Sequence, residues 1–423
     1  MTYTHRFVIP DVSGSILLVQ DGAGWALPRV PSDEPEIVVN AAPALRDVAG
    51  EDVFVLREVR FGPMPLPNDQ VVYVTEAVSG RSGSGRRFDE AALANMEIDP
   101  LDRSALRSWF RGDGPASLQP WQRPGWFASC LPWIEAMVPD VKEVRQVATW
   151  CNSCILRVQS PTARSYFKAS PAYFMSEPVV TALLAARFPR RVPQVLALDA
   201  ERGWMLLEDL GDEPADSLPV EDRIGALIAI AELHLASVLH VDALLQGGCL
   251  DRRPAVLSDQ IAVLAADRTV PLPADLGARF QLAVPRLQEL CAEVASSPVP
   301  ATLVHGDLHA GNIMRTDGRF VTFDWTDACI ADPFVDVLMF LTRLPGESEL
   351  SAAFLDRYLG AWSDVVPRSA LVAWTEIAEP LAAMHHAITY RGIYDAFGEY
   401  DWWLFEGALP RWIERALASP RLA

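Results

Sequence analysis

The chain lacks several features that mark whole classes of protein. No run of about 18 apolar residues occurs in its 423 residues, so no membrane-spanning helix is expected. Residues 1–10 lack the basic start and apolar stretch of a secretory signal. Six cysteines in a chain of this length do not form a disulfide framework. These absences predict a cytoplasmic protein that neither spans nor lies on a membrane.

An excess of basic charge is also missing. The formal net charge is −19, which argues against a nucleic-acid backbone as the main partner, because binding phosphates requires a basic surface. An acidic surface keeps a protein in solution, and it also suits a cationic ligand. Both interpretations stay open, and the sequence leaves the oligomeric state open as well.

Lysine is almost absent. Of the 36 basic residues, two are lysines, Lys142 and Lys168, and the others are arginines. A chain that uses arginine nearly everywhere keeps lysine either by chance or where a compact ammonium group is needed. Lys168 therefore has to be judged by its local setting.

The order of predicted elements divides the chain into four parts. Residues 1–110 contain strands and short helices, and residues 111–140 contain a linker rich in Gly and Pro followed by a helix. Residues 141–211 are rich in strands, and residues 212–423 are dominated by helices, predicted at 223–239, 274–294, 351–363, 371–387 and 403–417. This order predicts an α+β fold with two lobes, a β-rich one and a helical one, and a cleft between them.

The most informative stretch is Leu303-Val-His-Gly-Asp-Leu-His-Ala-Gly-Asn-Ile-Met314. An apolar strand leads into a polar loop that holds Asp307 and Asn312. Their spacing, Asp-x-x-x-x-Asn, is that of the kinase catalytic loop.

A hairpin is predicted directly after this loop. Asp317-Gly318 is a type I′ turn signal, and it pairs residue 316 with 319 and residue 313 with 322. Asn312 and Asp324 then reach the same open end, where opposed residues lie about 5 Å apart. Carboxylate and carboxamide oxygens suit Mg²⁺, and Asp307 remains beside them as a free carboxylate. The alternative is that each of the three polar residues caps a turn, which their convergence makes the weaker interpretation.

His305 and His309 flank Asp307 and could bind a metal. The preferred interpretation is that they hold the loop through hydrogen bonds to the backbone. Zinc is not expected, because no second cluster completes a tetrahedral set of ligands.

Two further segments are candidates for the nucleotide site. Lys168 lies in the strand Ser165-Tyr-Phe-Lys-Ala169, and it either extends to solvent or contacts a phosphate. Glu177 is its candidate ion-pair partner, although Pro178 disfavours a helical conformation for Glu177 and allows a capping role instead. The stretch from Trp204 to Leu210, with Glu208 and Leu210 at its polar end, is either a hinge facing an adenine edge or an ordinary strand end.

Residues from about 141 to 400 resemble the aminoglycoside phosphotransferase and choline kinase-like family. The matching pieces are Phe167-Lys168, Val192-Pro193, Leu206-Leu-Glu-Asp209, Leu233-His234, the loop from His305 to Asn312, Phe323-Asp-Trp325 and Asp332-Pro-Phe-Val-Asp336. The resemblance implies a protein-kinase-like fold, ATP or GTP with Mg²⁺, and a small-molecule acceptor. It implies Asp307 as catalytic base, Asn312 and Asp324 as metal ligands, Lys168 as phosphate contact and Asp336 as a structural residue.

Residues 1–110 resemble a degenerate Nudix domain. The resemblance rests on Ile16-Leu-Leu-Val19, Gly24-Trp-Ala-Leu-Pro28 and Ala44-Leu-Arg-Asp-Val48. The paired glutamates that a Nudix helix uses to hold metal are missing after Arg46-Asp-Val48. The resemblance therefore implies a small α/β domain without hydrolase activity.

The sequence as a whole predicts a phosphotransferase that acts on a hydroxyl of a sugar, amino sugar, aminoglycoside or amino alcohol. Two alternatives belong to other classes. The chain could be a catalytically silent kinase-fold module that binds nucleotide, which the presence of Lys168, Asp307, Asn312 and Asp324 disfavours. It could also hydrolyse nucleotides through its N-terminal domain, which the missing glutamates disfavour.

Overall fold

A computed structural model describes residues 2–22, 24–34, 38–58, 70–80, 85–112, 118–270, 272–344, 348–397 and 405–422. The chain folds as two compact units, Met1–Pro171 and Ala172–Ala423. Part of the linker predicted within residues 111–140 lies outside the described residues. The four-part division drawn from the sequence stays a prediction.

The first unit begins with two small sheets. Its strands are β1 (Tyr3–Val8), β2 (Ile16–Asp21), β3 (Gly24–Ala26), β4 (Arg29–Ser32), β5 (Glu51–Glu58), β6 (Gln70–Gly80) and β7 (Arg86–Phe88). One sheet has the order β4-β1-β6-β5 and the other β3-β2-β7. The helices are α1 (Val38–Ala49), α2 (Glu90–Leu93) and α3 (Pro100–Arg111). Buried Asp102 of α3 accepts hydrogen bonds from Arg6 and Arg29, which ties this helix to the strands.

Three more strands follow helix α4 (Trp126–Met137) in the same unit: β8 (Glu143–Thr149), β9 (Cys154–Gln159) and β10 (Arg164–Ala169). They pair as antiparallel neighbours in chain order. Gln146 of β8 exchanges two hydrogen bonds of 2.8 and 2.9 Å with the backbone of Val55. These bonds show that β5, which carries Val55, packs directly on β8. A buried amide needs hydrogen-bond partners for both its oxygen and its nitrogen, and Val55 supplies both.

The second unit is mainly helical. Its helices are α5 (Glu177–Arg187), α6 (Val220–Ser237), α7 (Val241–Gln246), α8 (Pro254–Ala266), α9 (Ala274–Ala295), α10 (Phe334–Thr342), α11 (Ser348–Ala361), α12 (Arg368–Phe397) and α13 (Ala408–Leu417). The apolar faces of α6 and of α8 to α13 form a common core around Trp362, Leu381 and Met384, and α5 and α7 contribute to a second apolar cluster. This core supports the strands that carry the polar loop.

The strands of the second unit form small sheets. They are β11 (Val195–Asp199), β12 (Trp204–Glu208), β13 (Leu250–Asp251), β14 (Thr302–Val304), β15 (Ile313–Thr316), β16 (Arg319–Thr322) and β17 (Cys329–Ala331). β11 and β12 pair antiparallel, as do β15 and β16, and β13-β17-β14 form a three-stranded sheet. The polar loop leaves β14 and enters the β15–β16 hairpin, so both ends of the loop are fixed.

Among the described residues, one helical stretch, Val220–Gln246, is long and apolar enough to cross a membrane by length and composition. Half of its most apolar window is buried inside the structure. A core helix passes the same test, and α6 contributes Leu227, Ile230 and Ala231 to the main core.

Candidate active site

The predicted hairpin and its register are confirmed. Thr316 pairs with Arg319 and Ile313 pairs with Thr322. Asp317 and Gly318 have φ angles of 49° and 71°, and positive φ at both central residues defines the type I′ turn. Turn chemistry alone therefore sets which residues meet at the open end.

Two candidate metal ligands flank that open end. Phe323 donates its backbone N–H to the carbonyl of Asn312 at 3.0 Å. Asn312 therefore lies opposite Phe323, and Asp324 is the next residue after Phe323. Asp324 has a φ of 67°, a left-handed conformation that is uncommon for a residue other than glycine. Such a conformation costs about 1–3 kcal/mol and clusters at functional sites.

The loop that carries Asp307 is anchored by a buried carboxylate. Asp336, 1% exposed, accepts hydrogen bonds from the backbone N–H groups of His305 at 2.8 Å and Gly306 at 2.9 Å. His234 contacts the same carboxylate through Nε2 at 3.1 Å, and its Nδ1 lies 2.8 Å from the hydroxyl of Tyr358. Burial alone would raise the pKa of Asp336, but the hydrogen bond and charge of His234 outweigh it, so the pKa is lowered.

Both histidines of the loop hold backbone groups, as predicted. His305 Nδ1 accepts from the N–H of Asp307 at 3.3 Å, so its Nε2 is the protonated nitrogen that donates to the carbonyl of Phe323 at 2.8 Å. His309 Nδ1 accepts from the N–H of Gly311 at 3.1 Å. Asn312 donates through Nδ2 to the backbone carbonyl of Asp307 at 3.1 Å. This set of contacts fixes the backbone on both sides of Asp307.

Gly306 lets the loop approach the segment that follows the hairpin. Its φ is 88°, and a Cβ at this position would lie 2.6 Å from the backbone oxygen of Asp327 and 2.7 Å from its Cβ. A larger residue at position 306 would therefore push Asp327 away from the loop.

Asp327 is a site residue that the sequence reasoning missed. Burial, helped by the charge of the Asp307 carboxylate and opposed by the guanidinium of Arg252, raises the pKa of Asp327 to about 7. Arg252 donates to the hydroxyl of Thr389 on α12 at 2.5 Å. Burial together with the negative charge of Asp307 also raises the pKa of Tyr390 to about 12. Asp307 thus lies in a group of polar side chains that come from the residue after β13, the 324–327 segment and α12.

The candidate nucleotide-binding residues Lys168 and Glu177 belong to different units, Lys168 to the first and Glu177 to the second. Lys168 is 5% exposed and pairs with Ile155 in register, so the alternative in which it extends to solvent is wrong. Glu177 is fully buried and is the first residue of α5, with Pro178 in the first turn and Ser176 as N-cap. Glu177 therefore occupies neither the capping position nor a mid-helix position.

The candidate hinge is tied into its own unit. Glu208 exchanges hydrogen bonds with Gln194: its backbone N–H donates to the Gln194 carbonyl, and its carboxylate accepts from the Gln194 N–H at 2.8 Å. The carbonyl of Leu210 accepts a hydrogen bond from the hydroxyl of Thr316. The backbone at Leu210 is therefore fixed against the β15–β16 hairpin.

The family resemblance also predicts that aromatic residues of the late helices form the walls of an acceptor site, and several of these residues are core residues. Trp374 is 1% exposed and donates to Asp332 at 2.8 Å, and Tyr394 donates to the carbonyl of Phe405. Glu376 is tied to Arg421 on the surface. Predicted residues that lie outside the described part of the chain are Glu399, Tyr400, Asp401, Trp402 and Trp403.

Residues 140–379 match the profile of the phosphotransferase enzyme family known as APH. A curated relative, an N-acetylmuramate/N-acetylglucosamine kinase of Caulobacter vibrioides, is 30% identical over 200 residues, which cover 40% of this chain. This chain spans about half, 50%, of that relative's length.

Two solved structures are similar in fold. A choline kinase of Streptococcus pneumoniae has a TM-score of 0.50 at 13% identity, covering 69% of this chain and 98% of its own. A choline/ethanolamine kinase family protein of Mesorhizobium loti has a TM-score of 0.50 at 16% identity, covering 70% and 94%. The predicted protein-kinase-like fold is thereby confirmed for this part of the chain, whereas the Nudix resemblance of residues 1–110 stays a prediction. Because the family profile spans more than half of the sequence, the chain belongs to the phosphotransferase enzyme family.

Proposed function

We propose that the protein moves the γ-phosphoryl group of ATP or GTP to a hydroxyl of a small molecule. The observation that carries this proposal is the anchored loop around Asp307. Asp336 and Asn312 fix its backbone from two sides, at the end of a hairpin that brings Asn312 next to Asp324. Phosphoryl transfer depends mainly on positioning and charge stabilisation, and this loop supplies a rigid carboxylate.

Asp307 acts as the base in this proposal. Asp307 is half-buried, while its neighbours Gly306 and Leu308 are buried. The acceptor hydroxyl oxygen forms a bond to the γ-phosphorus as the bond from that phosphorus to the β,γ-bridging oxygen breaks. The hydroxyl proton passes to Asp307, and the nucleoside diphosphate leaves with the bridging oxygen.

The residues at the hairpin end fit a magnesium ion by donor chemistry. Asn312 uses its Nδ2 on the carbonyl of Asp307, which leaves its amide oxygen for a cation. Asp324 adds a carboxylate, and both are hard oxygen donors. When bound, magnesium would neutralise phosphate charge. The strained backbone of Asp324 supports this role, because the surrounding structure holds that residue in a costly conformation.

The nucleotide contacts follow from the same proposal. Lys168, which is 5% exposed, would contact a phosphate through its ammonium group. Buried Glu177 would orient Lys168. Glu208 and Leu210 would present the hinge backbone to the nucleobase. A cytoplasmic location, where nucleoside triphosphates are available, belongs to the proposal, as does the absence of nucleic-acid and membrane partners.

The acceptor class is proposed to be a sugar or amino sugar. The family relative named as an N-acetylmuramate/N-acetylglucosamine kinase supports this choice. The polar side chains around Asp307 also support this choice, because Asp327, Arg252 and Tyr390 can form hydrogen bonds with several hydroxyl groups of an acceptor. Asp307 and Asp327 interact electrostatically there, which disfavours an acceptor that would place an anionic group beside these two carboxyl groups.

The test is a transfer assay with the purified full chain, ATP or GTP, Mg²⁺ and matched acceptors. Glucose and N-acetylglucosamine represent neutral sugars, glucosamine a cationic one, and glucuronate an anionic one. Phosphorylated neutral or cationic product is expected, detected by mass spectrometry. Phosphorylation of glucuronate alone would contradict the sugar and amino-sugar proposal. No transfer to any hydroxyl compound would favour the catalytically silent alternative.

A further inference from the structure

We infer that Tyr173 binds the acceptor by stacking on one face of its pyranose ring, and that Gly392 of α12 makes room for Tyr173 to do so. This inference rests on the proposed function and adds a specificity residue to the same site. Tyr173 lies in the short helical turn Ala172–Phe174 before α5, and nothing in its local sequence marks it as functional.

The first observation is that Tyr173 is a large aromatic side chain kept at the surface. It is 42% exposed, whereas the adjacent Phe174 is 5% exposed. The two rings pack edge to face with centroids 4.7 Å apart, and the centroids of the Tyr173 and Phe397 rings are 6.2 Å apart. Packing on two buried rings holds one side of Tyr173 and leaves a face for a ligand. An aromatic ring held in this way can stack on the C–H face of a sugar.

The second observation is that α12 is shaped to accept the hydroxyl of Tyr173. A Cβ on Gly392 would lie 2.1 Å from the Tyr173 oxygen and 3.1 Å from its Cζ. Glycine inside a helix is less favourable than alanine, so its presence within a 30-residue helix calls for a reason. The close approach of Tyr173 supplies one.

The third observation is the charge around the ring. The phenol of Tyr173 interacts electrostatically with Arg252, Asp327 and Asp395, and Asp327 interacts with Asp307. Tyr173 is therefore connected to the proposed base through a short series of polar groups. An aromatic ring whose phenol group interacts with carboxylates and a guanidinium group matches a sugar ring, whose C–H face is apolar and whose edge is polar.

The experiment measures binding and transfer separately. Binding of N-acetylglucosamine and glucosamine to the full chain is followed by ligand-observed NMR in the presence of a non-hydrolysable ATP analogue. Tyr173→Ala is expected to raise the Kd of the bound sugar about tenfold and to leave nucleotide affinity unchanged. Tyr173→Phe keeps the ring and should bind within about twofold of the wild type.

Gly392→Ala provides an independent variant that leaves Tyr173 in place. The clashing atom is the far end of a flexible side chain, so the ring moves and the helix folds. Sugar binding should weaken as in Tyr173→Ala. The double variant Gly392→Ala/Tyr173→Phe lacks the clashing oxygen and should recover part of the affinity. Gly277→Ala on α9, where a Cβ meets open space, is the matched control.

The outcomes separate this inference from the proposed function. Sugar binding without phosphoryl transfer would contradict the proposed function but would not contradict the role of Tyr173 in sugar binding. Unchanged sugar affinity in Tyr173→Ala, or no sugar binding by the wild type, would overturn the role of Tyr173. Equal weakening of sugar and nucleotide binding would also overturn it, because it would show a general structural effect.

Discussion

Removing the carboxylate of Asp336 should destabilise the second unit strongly. Asp336→Ala leaves three donors without their partner: the N–H groups of His305 and Gly306 and the Nε2–H of His234. Asp336 is 1% exposed, so water does not replace the lost contacts without rearrangement. A buried donor left unsatisfied costs about 1–3 kcal/mol, and three of them predict a loss of about 3–9 kcal/mol.

The pH of the measurement follows from the pKa shift. The folded-state pKa of Asp336 is lowered, so its stabilising contribution is present above the unfolded-state pKa and is lost as the pH falls through the folded-state value. At pH 7 the contribution is therefore complete. Urea unfolding at pH 7, followed by tryptophan fluorescence, measures the loss of unfolding free energy.

Two comparisons make the result specific. Asp336→Asn keeps the size of the side chain and one acceptor oxygen, so its loss should be smaller than that of Asp336→Ala. Asp259→Ala on the exposed side of α8 should stay within about 0.5 kcal/mol of the wild type. A loss below about 1 kcal/mol for Asp336→Ala would refute the view that this carboxylate anchors the loop.

Three further predictions concern other parts of the chain. Tyr358→Phe removes the hydroxyl 2.8 Å from His234 Nδ1, and urea unfolding should show a loss of about 1–3 kcal/mol; no change would contradict this contact. Burial lowers the pKa of His386 to about 4, so the unfolded state binds a proton at this side chain more readily than the folded state as the pH falls. The unfolding free energy should therefore fall by about 2 kcal/mol between pH 7 and 5, and by less in His386→Gln. An equal fall in the two proteins would refute this prediction. The full chain should hydrolyse no nucleoside diphosphate compound, and release of product that EDTA abolishes would contradict this prediction.

The hairpin and the loop around Asp307 were predictable because their signals are local. Asp317-Gly318 sets a turn type, and the turn sets the register. The spacing of Asp307 and Asn312 lies within one loop. The structure confirms the register and the roles of His305 and His309 in holding the backbone.

Other parts were not predictable because they depend on long-range contacts. Asp327, Arg252 and Tyr173 come together from three distant segments, and none of them belongs to a local motif. Helices α8 and α10 were also missed. α8 begins with Pro254 at its first position, which resembles a loop signal in the sequence, and α10 is buried on nearly all sides, so it shows little amphipathic pattern.

Element ends were predicted less well where a proline lies inside a helix. Helix α12 was expected at 371–387, but it runs from Arg368 to Phe397 and contains Pro380. Packing against the core of the second unit stabilises the helix on both sides of that proline. The extension matters for function, because Thr389, Tyr390 and Gly392 lie beyond the predicted end.

The most direct test of the central claim is phosphoryl transfer by Asp307→Ala. The variant should fold, because Asp307 donates its backbone N–H and accepts through its backbone carbonyl, and both groups remain. It should bind nucleotide like the wild type, while transfer to a hydroxyl acceptor falls by about 10²–10⁴-fold. A folded, nucleotide-binding Asp307→Ala protein that transfers phosphate at near wild-type rate would contradict the account.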